Sequence, residues 1–264
     1  MLPMQLDQTQ RMTPMPLWMA ALFFGIPALV IRILLYLGIP FLMSIGIRLF
    51  EAWLICTITP LMLLLIAAIV AYRLESPFLS WRAFQERFRL THLRGRAWLW
   101  IVGGFLVAFL GNGALSFTAR WIASIPLFAP PAALAYLDPR APPRLSYTRF
   151  LDVPLLGNWW VFVAVLLLLV VNILGEELWW RGYILPRQEL SHGKSAWVVQ
   201  GLLWTLFHVV FYPWALLSYL PVCLMIPFIA QRLKNTWPAI ILHFAINGIV
   251  LIPITLGILG VYGS

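Results

Sequence analysis

Long apolar runs separated by short clusters of charge and proline dominate this chain. They cover residues 16–49, 52–72, 97–124, 155–174, 195–212, 214–230 and 238–260, roughly. A helix rising about 1.5 Å per residue needs about 20 such residues to cross a hydrocarbon core about 30 Å thick. The pattern therefore predicts an all-α polytopic bundle of about seven transmembrane spans. It reads as a single integral membrane domain over residues 1–264, with a polar leader at 1–15 and a motif-bearing core at about 155–260. The first run exceeds one crossing. It is either one long helix bent at Pro27 and Pro40 or two shorter pieces, which would make eight spans.

Composition agrees with the pattern: 62% of the 264 residues are hydrophobic and 10% are charged, against about 45–50% apolar in soluble domains. The net charge of +9 raises the question of a nucleic-acid partner. The basic residues lie between apolar runs, however, where the excess of Lys and Arg in cytoplasmic loops accounts for them and no nucleic acid is implied. On that rule the 73–96 segment, the Arg187/Lys194 turn and the Arg232/Lys234 turn face the cytoplasm, with the N-terminus inside. Asp7 and Arg11 precede the first run with no small-residue cleavage site after it, so that run reads as a retained span. Trp81, Phe84 and Phe88 fall at i, i+3 and i+7, as in a short basic helix lying in the interface. Residues 125–152, broken by six prolines from Pro126 to Pro143, read as an exposed connection, and 186–193 as a turn. Cys56 and Cys223 sit inside apolar runs and read as packing residues.

Candidate chemistry is concentrated in Gly175-Glu176-Glu177-Leu178-Trp179-Trp180-Arg181, which follows a run without charge from Leu155 to Leu174. Charge inside a bilayer costs about 2.5–3.5 kcal/mol per residue even on the lenient scale, so it marks function by default. The plain alternative is a solvated helix end. Against it, His208 and His243 lie in later apolar runs, whereas His92 and His192 fall in loops and read as solvated. Rise per residue puts Glu176 about 15 Å from Pro186, His208 about 19 Å from Ser195 and His243 about 8 Å from Pro238, all in the cytoplasmic half. Asn247 shares a helical face with His243 at i+4, and Glu177 and Arg181 are spaced to form an acid-first i, i+4 pair. Asn172 and Gln200 read as hydrogen-bonding glue between helices. A carboxylate, two imidazoles and an amide supply a base, a water-positioning group and oxyanion donors.

Glu176-Glu177-x-x-x-Arg181, Trp204-x-x-x-His208 and His243-x-x-x-Asn247 resemble, in order, the three motifs of the type II CAAX prenyl endopeptidase and bacteriocin-processing family of intramembrane proteases, known as CPBP or Abi. The second motif usually carries Phe where this chain has Trp204, which keeps an aromatic wall. The resemblance implies an endopeptidase of a bacterial inner membrane, with its site open to the cytoplasmic side. Its partners would be the lipid bilayer and a membrane-associated peptide or protein substrate. Glu176 would be the base, His208 would help hold the water, and His243 and Asn247 would donate to the oxyanion, with Glu177, Arg181 and Trp204 in support. No cofactor is expected. Were a divalent metal present, Glu176, His208 and His243 would be its ligands, though HExxH is absent. A proton-coupled carrier, or an immunity or scaffold protein that keeps the fold, would show similar intramembrane charge.

Overall fold

In the structure, a computed structural model, residues 12–75, 80–130, 132–141 and 146–261 are described. The leader up to Arg11 and Pro131, Pro142 and Pro143 of the proline-rich connection lie outside them. The first apolar run is one helical stretch, Leu17–Ser44, which removes the eight-span alternative. It comprises α1 (Leu17–Ile33), a π-helical turn (Leu34–Gly38) and α2 (Ile39–Ser44). Pro40, which has no N–H to give to the preceding turn, lies two residues past the end of the π turn. The long α3 (Leu49–Glu75) leads to the seven-residue α4 (Trp81–Arg87), capped by Ser80 accepting from the Ala83 N–H. α5 (Gly95–Ala123) crosses back.

The 125–152 connection is largely exposed among its described residues, as expected. It ends in a two-residue antiparallel ladder of β1 (Arg149–Phe150) and β2 (Val153–Pro154). Leu134, Phe150 and Leu151 are buried, and Phe150 packs edge-on against Phe50 and Trp53 at the start of α3.

The next stretch, Trp159–Phe211, is helical throughout. It runs as α6 (Trp159–Glu176), a π segment (Glu177–Ile184), α7 (Leu185–His192), a 3-10 turn and α8 (Ala196–Phe211). The expected turn at 186–193 is thus the helix α7, which Pro186 opens at a position that needs no N–H. The reversal comes at Gly193, at φ +56°. Trp204 bonds to Glu176, and Gln200 to Trp180, so α8 lies antiparallel to α6 and the π segment. α9 (Leu220–Leu233) is shorter than its apolar run, because Pro213–Ala215 form a 3-10 turn and Pro221 sits at the helix start. α10 (Trp237–Asn247), a 3-10 turn and α11 (Leu251–Ile258) complete the bundle.

Five helical stretches are long and apolar enough to cross a membrane, and α9 is a shorter apolar helix. Because the fourth stretch folds back on itself at Gly193, it supplies two legs. The molecule is an integral membrane, all-α bundle. The 18-residue apolar window of Trp159–Phe211 is 56% buried, against 17% for that of Gly95–Ala123.

The three basic turns gather at one end. Glu189 of α7 accepts two bonds from Arg89 and one from Lys234, and Thr236 donates through its N–H to Arg89 O and through its hydroxyl to Phe88 O. Glu75 accepts from Arg87, Arg187 and Tyr183, and Arg87 also donates to Gly182 O. α4 is therefore docked: Phe88 is buried against Gly182, where a Cβ would lie 2.5 Å from its ring, while Trp81 stays exposed and stacked on Phe84. His92 is exposed as expected. His192 is half-buried, with its Nε2 shielded and without a partner among the described residues.

At the opposite end of α8 the last carbonyls are held from α1 and the π turn after it. Arg32 Nη1 donates to Val210 O at 2.5 Å and Tyr36 Oη to Phe211 O at 3.1 Å. A cation at a helix C-terminus also opposes the negative end of the helix dipole, which accounts for this arginine in an apolar run.

Candidate active site

The site forms where α6 passes into the π segment. α3 and α6 run in the same direction and touch along their length: Phe50 meets Trp160 near their starts, and Glu75 meets Tyr183 past the end of α6. Between these points Gly175 lies so close to α3 that a Cβ there would be 2.6 Å from Leu61 O. Only glycine permits this approach, and it fixes the depth and rotation of the next two residues. Successive helical side chains point about 100° apart, so Glu176 and Glu177 serve different neighbours.

Glu176 faces α8. It is 4% exposed, and its Oε2 accepts a hydrogen bond from Trp204 Nε1 at 2.9 Å. Glu177, fully buried, faces α10. Its Oε1 accepts from His243 Nδ1 at 2.8 Å and lies 3.2 Å from Arg181 Nη1. The expected Glu177–Arg181 pair thus exists, but it is one side of an Arg181–Glu177–His243 chain that the spacing of residues did not reveal. Arg181 is in charge contact without hydrogen-bond geometry, and its guanidinium lies 3.7 Å from the Trp204 ring centroid. Trp204 is more than an aromatic wall: it bonds Glu176, supports Arg181 and meets the rings of His208 and His243 edge-on at 5.3 Å each.

Hydrogen bonding also fixes the histidine tautomers. His208 Nδ1 lies 2.8 Å from Trp204 O, and a carbonyl only accepts, so Nδ1 carries the proton and Nε2 keeps its lone pair. Likewise His243 Nδ1–H donates to the Glu177 carboxylate, and its Nε2 accepts from Asn247 Nδ2 at 3.0 Å. In this state His243 has no N–H left for an oxyanion, whereas Asn247 keeps a second one.

Glu176, His208, His243 and Asn247, drawn from three elements, line one cavity of about 320 Å³. Phe207, Phe211, Ile31, Leu35 and Ile246 form its apolar walls, and Thr57, Asn112 and Asn172 are further polar residues on it. Gln200 is glue, donating to Trp180 O and Gln188 Oε1. Asn172 is not, for it has no hydrogen-bond partner among the described residues and its Oδ1 is shielded from solvent. Cys56 and Cys223 are free and buried. Among the described residues no three His, Cys, Asp or Glu side chains are grouped so as to hold a metal ion.

Residues 158–249 match the family model described as Type II CAAX prenyl endopeptidase Rce1-like, whereas no curated protein and no solved structure matches the chain. The matched segment begins just before α6 and ends two residues past Asn247, enclosing Glu176, Glu177, Arg181, Trp204, His208 and His243 as well. Over that segment the chain is similar to the protease family that its three motifs resemble.

Proposed function

We propose that this protein is an intramembrane endopeptidase that cuts a peptide bond in a membrane-associated peptide or protein. The observation that carries the reading is the presence, on one cavity, of two hydrogen-bond acceptors: the Glu176 carboxylate and the Nε2 of His208, whose Nδ1 is engaged by Trp204 O. A water between them donates one hydrogen to each, which turns an oxygen lone pair toward an incoming carbonyl. As its oxygen attacks, one proton passes to Glu176 and a tetrahedral oxyanion forms. The free N–H of Asn247 donates to that oxyanion, with the amide held in place by His243 and, behind it, Glu177. Collapse of the intermediate breaks the C–N bond, and the proton on Glu176 leaves with the amine.

Trp204 holds one oxygen of Glu176, so the other is aimed at the water. No step calls for a transition metal, since His208 Nδ1 and both ring nitrogens of His243 are already engaged by the protein. The setting we propose is a bacterial inner membrane, with the end where the basic turns gather in the cytoplasm.

The test is digestion of a peptide library by the purified protein beside a Glu176→Gln variant. Gln keeps the size of the side chain and an oxygen for Trp204 but cannot take a proton. Cleavage is expected to vanish in the variant while membrane insertion and thermal stability stay near wild type. Wild-type turnover by Glu176→Gln would overturn the mechanism.

A further inference from the structure

Besides Glu176, His208, His243 and Asn247, two phenols line the cavity, Tyr212 and Tyr219. Their hydroxyls differ from those of other tyrosines in the bundle. Tyr36 Oη donates to Phe211 O and Tyr183 Oη to Glu75, while Tyr136 Oη is shut off from solvent. The hydroxyls of Tyr212 and Tyr219 bond to no described residue and are not shut off. Tyr219 is half-buried by accessible surface, yet protein packs closely around it, so the space it meets is internal: the cavity that it lines.

Tyr219 stands just before α9, on a turn pinned on both sides. Asn112 of α5 donates to Ser218 O at 2.8 Å, and Gly111 comes so close to α9 that a Cβ on it would lie 2.8 Å from Pro221 Cβ. The Tyr219 N–H bonds to Ala215 O, and its carbonyl accepts from the Cys223 N–H. Held in this way, the Tyr219 ring meets His208 edge-on, with 5.1 Å between centroids. Tyr212 packs on Phe211 and Trp214. Of the two phenols, then, Tyr219 is the one whose ring rests on the histidine that the mechanism assigns to the water.

The hydrolytic step has a use for a donor here. Oxyanion sites gather preorganised donors, but His243 gives both ring nitrogens to Glu177 and Asn247, so only the free N–H of Asn247 is left for the oxyanion. A phenol hydroxyl rotates to suit its acceptor. The cavity, at about 320 Å³, holds about ten water volumes, so a carbonyl brought to the water beside His208 stands close to the walls.

Resting on the hydrolase reading, we propose that Tyr219 is a further catalytic residue, whose hydroxyl donates a second hydrogen bond to the oxyanion of the tetrahedral intermediate, alongside that from Asn247. A neutral carbonyl accepts more weakly than an oxyanion, so this bond strengthens as charge develops. It therefore speeds the chemical step without tightening the hold on substrate.

The test compares wild type, Tyr219→Phe and, as a control, Tyr212→Phe on a quenched peptide that wild type cuts. Phe keeps the ring on His208 and removes an atom that bonds no described residue, so the melting temperature in detergent should stay near that of wild type. In Tyr219→Phe kcat should fall about 100-fold with KM within about twofold, and Tyr212→Phe should keep both within about twofold. Two uncleavable peptides of the same sequence separate a donor to the oxyanion from a support for the His208 ring. One is a phosphinate, which carries the oxygens of the tetrahedral state; the other is a reduced amide, which has no oxygen there. Tyr219→Phe should bind the phosphinate about 100-fold more weakly than wild type does and the reduced amide equally well. Equal affinity of both proteins for the phosphinate, or a wild-type kcat in Tyr219→Phe, would overturn the assignment, and so would a loss confined to Tyr212→Phe. Each of these leaves the hydrolase reading intact as long as wild type cuts. Failure of wild type to cut any peptide would sink that reading and the role of Tyr219 with it.

Discussion

Replacing Trp204 by Phe separates its two services to the site. The ring stays, and with it most of the surface under Arg181 and beside His208 and His243, but the N–H that reaches Glu176 Oε2 at 2.9 Å is gone. A hydrogen bond to a charged group contributes about 1.5–3 kcal/mol, and each 1.36 kcal/mol is tenfold in rate. If that bond orients the carboxylate, kcat should fall by roughly 10- to 150-fold. KM should stay within about twofold, since Trp204 aims the base and does not grip the substrate. Stability should suffer far less than the about 3–5 kcal/mol expected of Trp→Ala in a core, so melting followed by scanning fluorimetry in detergent should move only a few degrees. The assay is steady-state cleavage of a quenched peptide by both proteins in the same detergent. A Trp204→Phe enzyme with wild-type kcat would refute the argument and reduce Trp204 to a wall.

Arg181→Ala should lower stability by about 3–5 kcal/mol, the cost of stranding a buried charge, read as loss of the folded fraction in a denaturant series. Exchanging Glu177 and Arg181 should not restore it, because His243 would then face a guanidinium where it now has a carboxylate. Dialysis of active protein against a strong chelator should leave cleavage unchanged. Stoichiometric zinc, with activity lost on its removal and regained on its return, would make Glu176, His208 and His243 ligands after all.

The spans and the candidate chemistry were legible because both depend on local pattern. Runs of about 20 apolar residues need no tertiary knowledge, and polar groups stranded in them announce themselves by their cost. That Glu176, His208, His243 and Asn247 share a cavity followed from depth alone. What depth could not supply was rotation. Whether Glu177 turns to Arg181 alone or also to His243 depends on how α6 and α10 face each other. Asn172 and Gln200 gave the same signal, an amide in an apolar run, yet one meets the cavity and the other a backbone carbonyl. Trp204 did leave a clue: an indole brings a donor that phenylalanine lacks, and a buried donor needs an acceptor. Residues 125–152 were legible as an exposed connection because prolines exclude long helices; the local burial of Phe150 among aromatic neighbours was not.

The cap on α8 has a consequence for how the protein is made. Arg32 enters the membrane with the first helix, and its acceptor, Val210 O, lies 178 residues further along the chain. Until α8 is synthesised, the nascent first helix carries an arginine without its partner. Until α1 lies beside it, α8 ends in bare carbonyls one turn past His208. Each debt is settled only by the other, so assembly must bring the earliest helix back to a late one before the cavity wall is firm. α1 lies outside the segment that matches the family model. Its hold on the end of the helix that carries His208 is nonetheless part of the finished bundle.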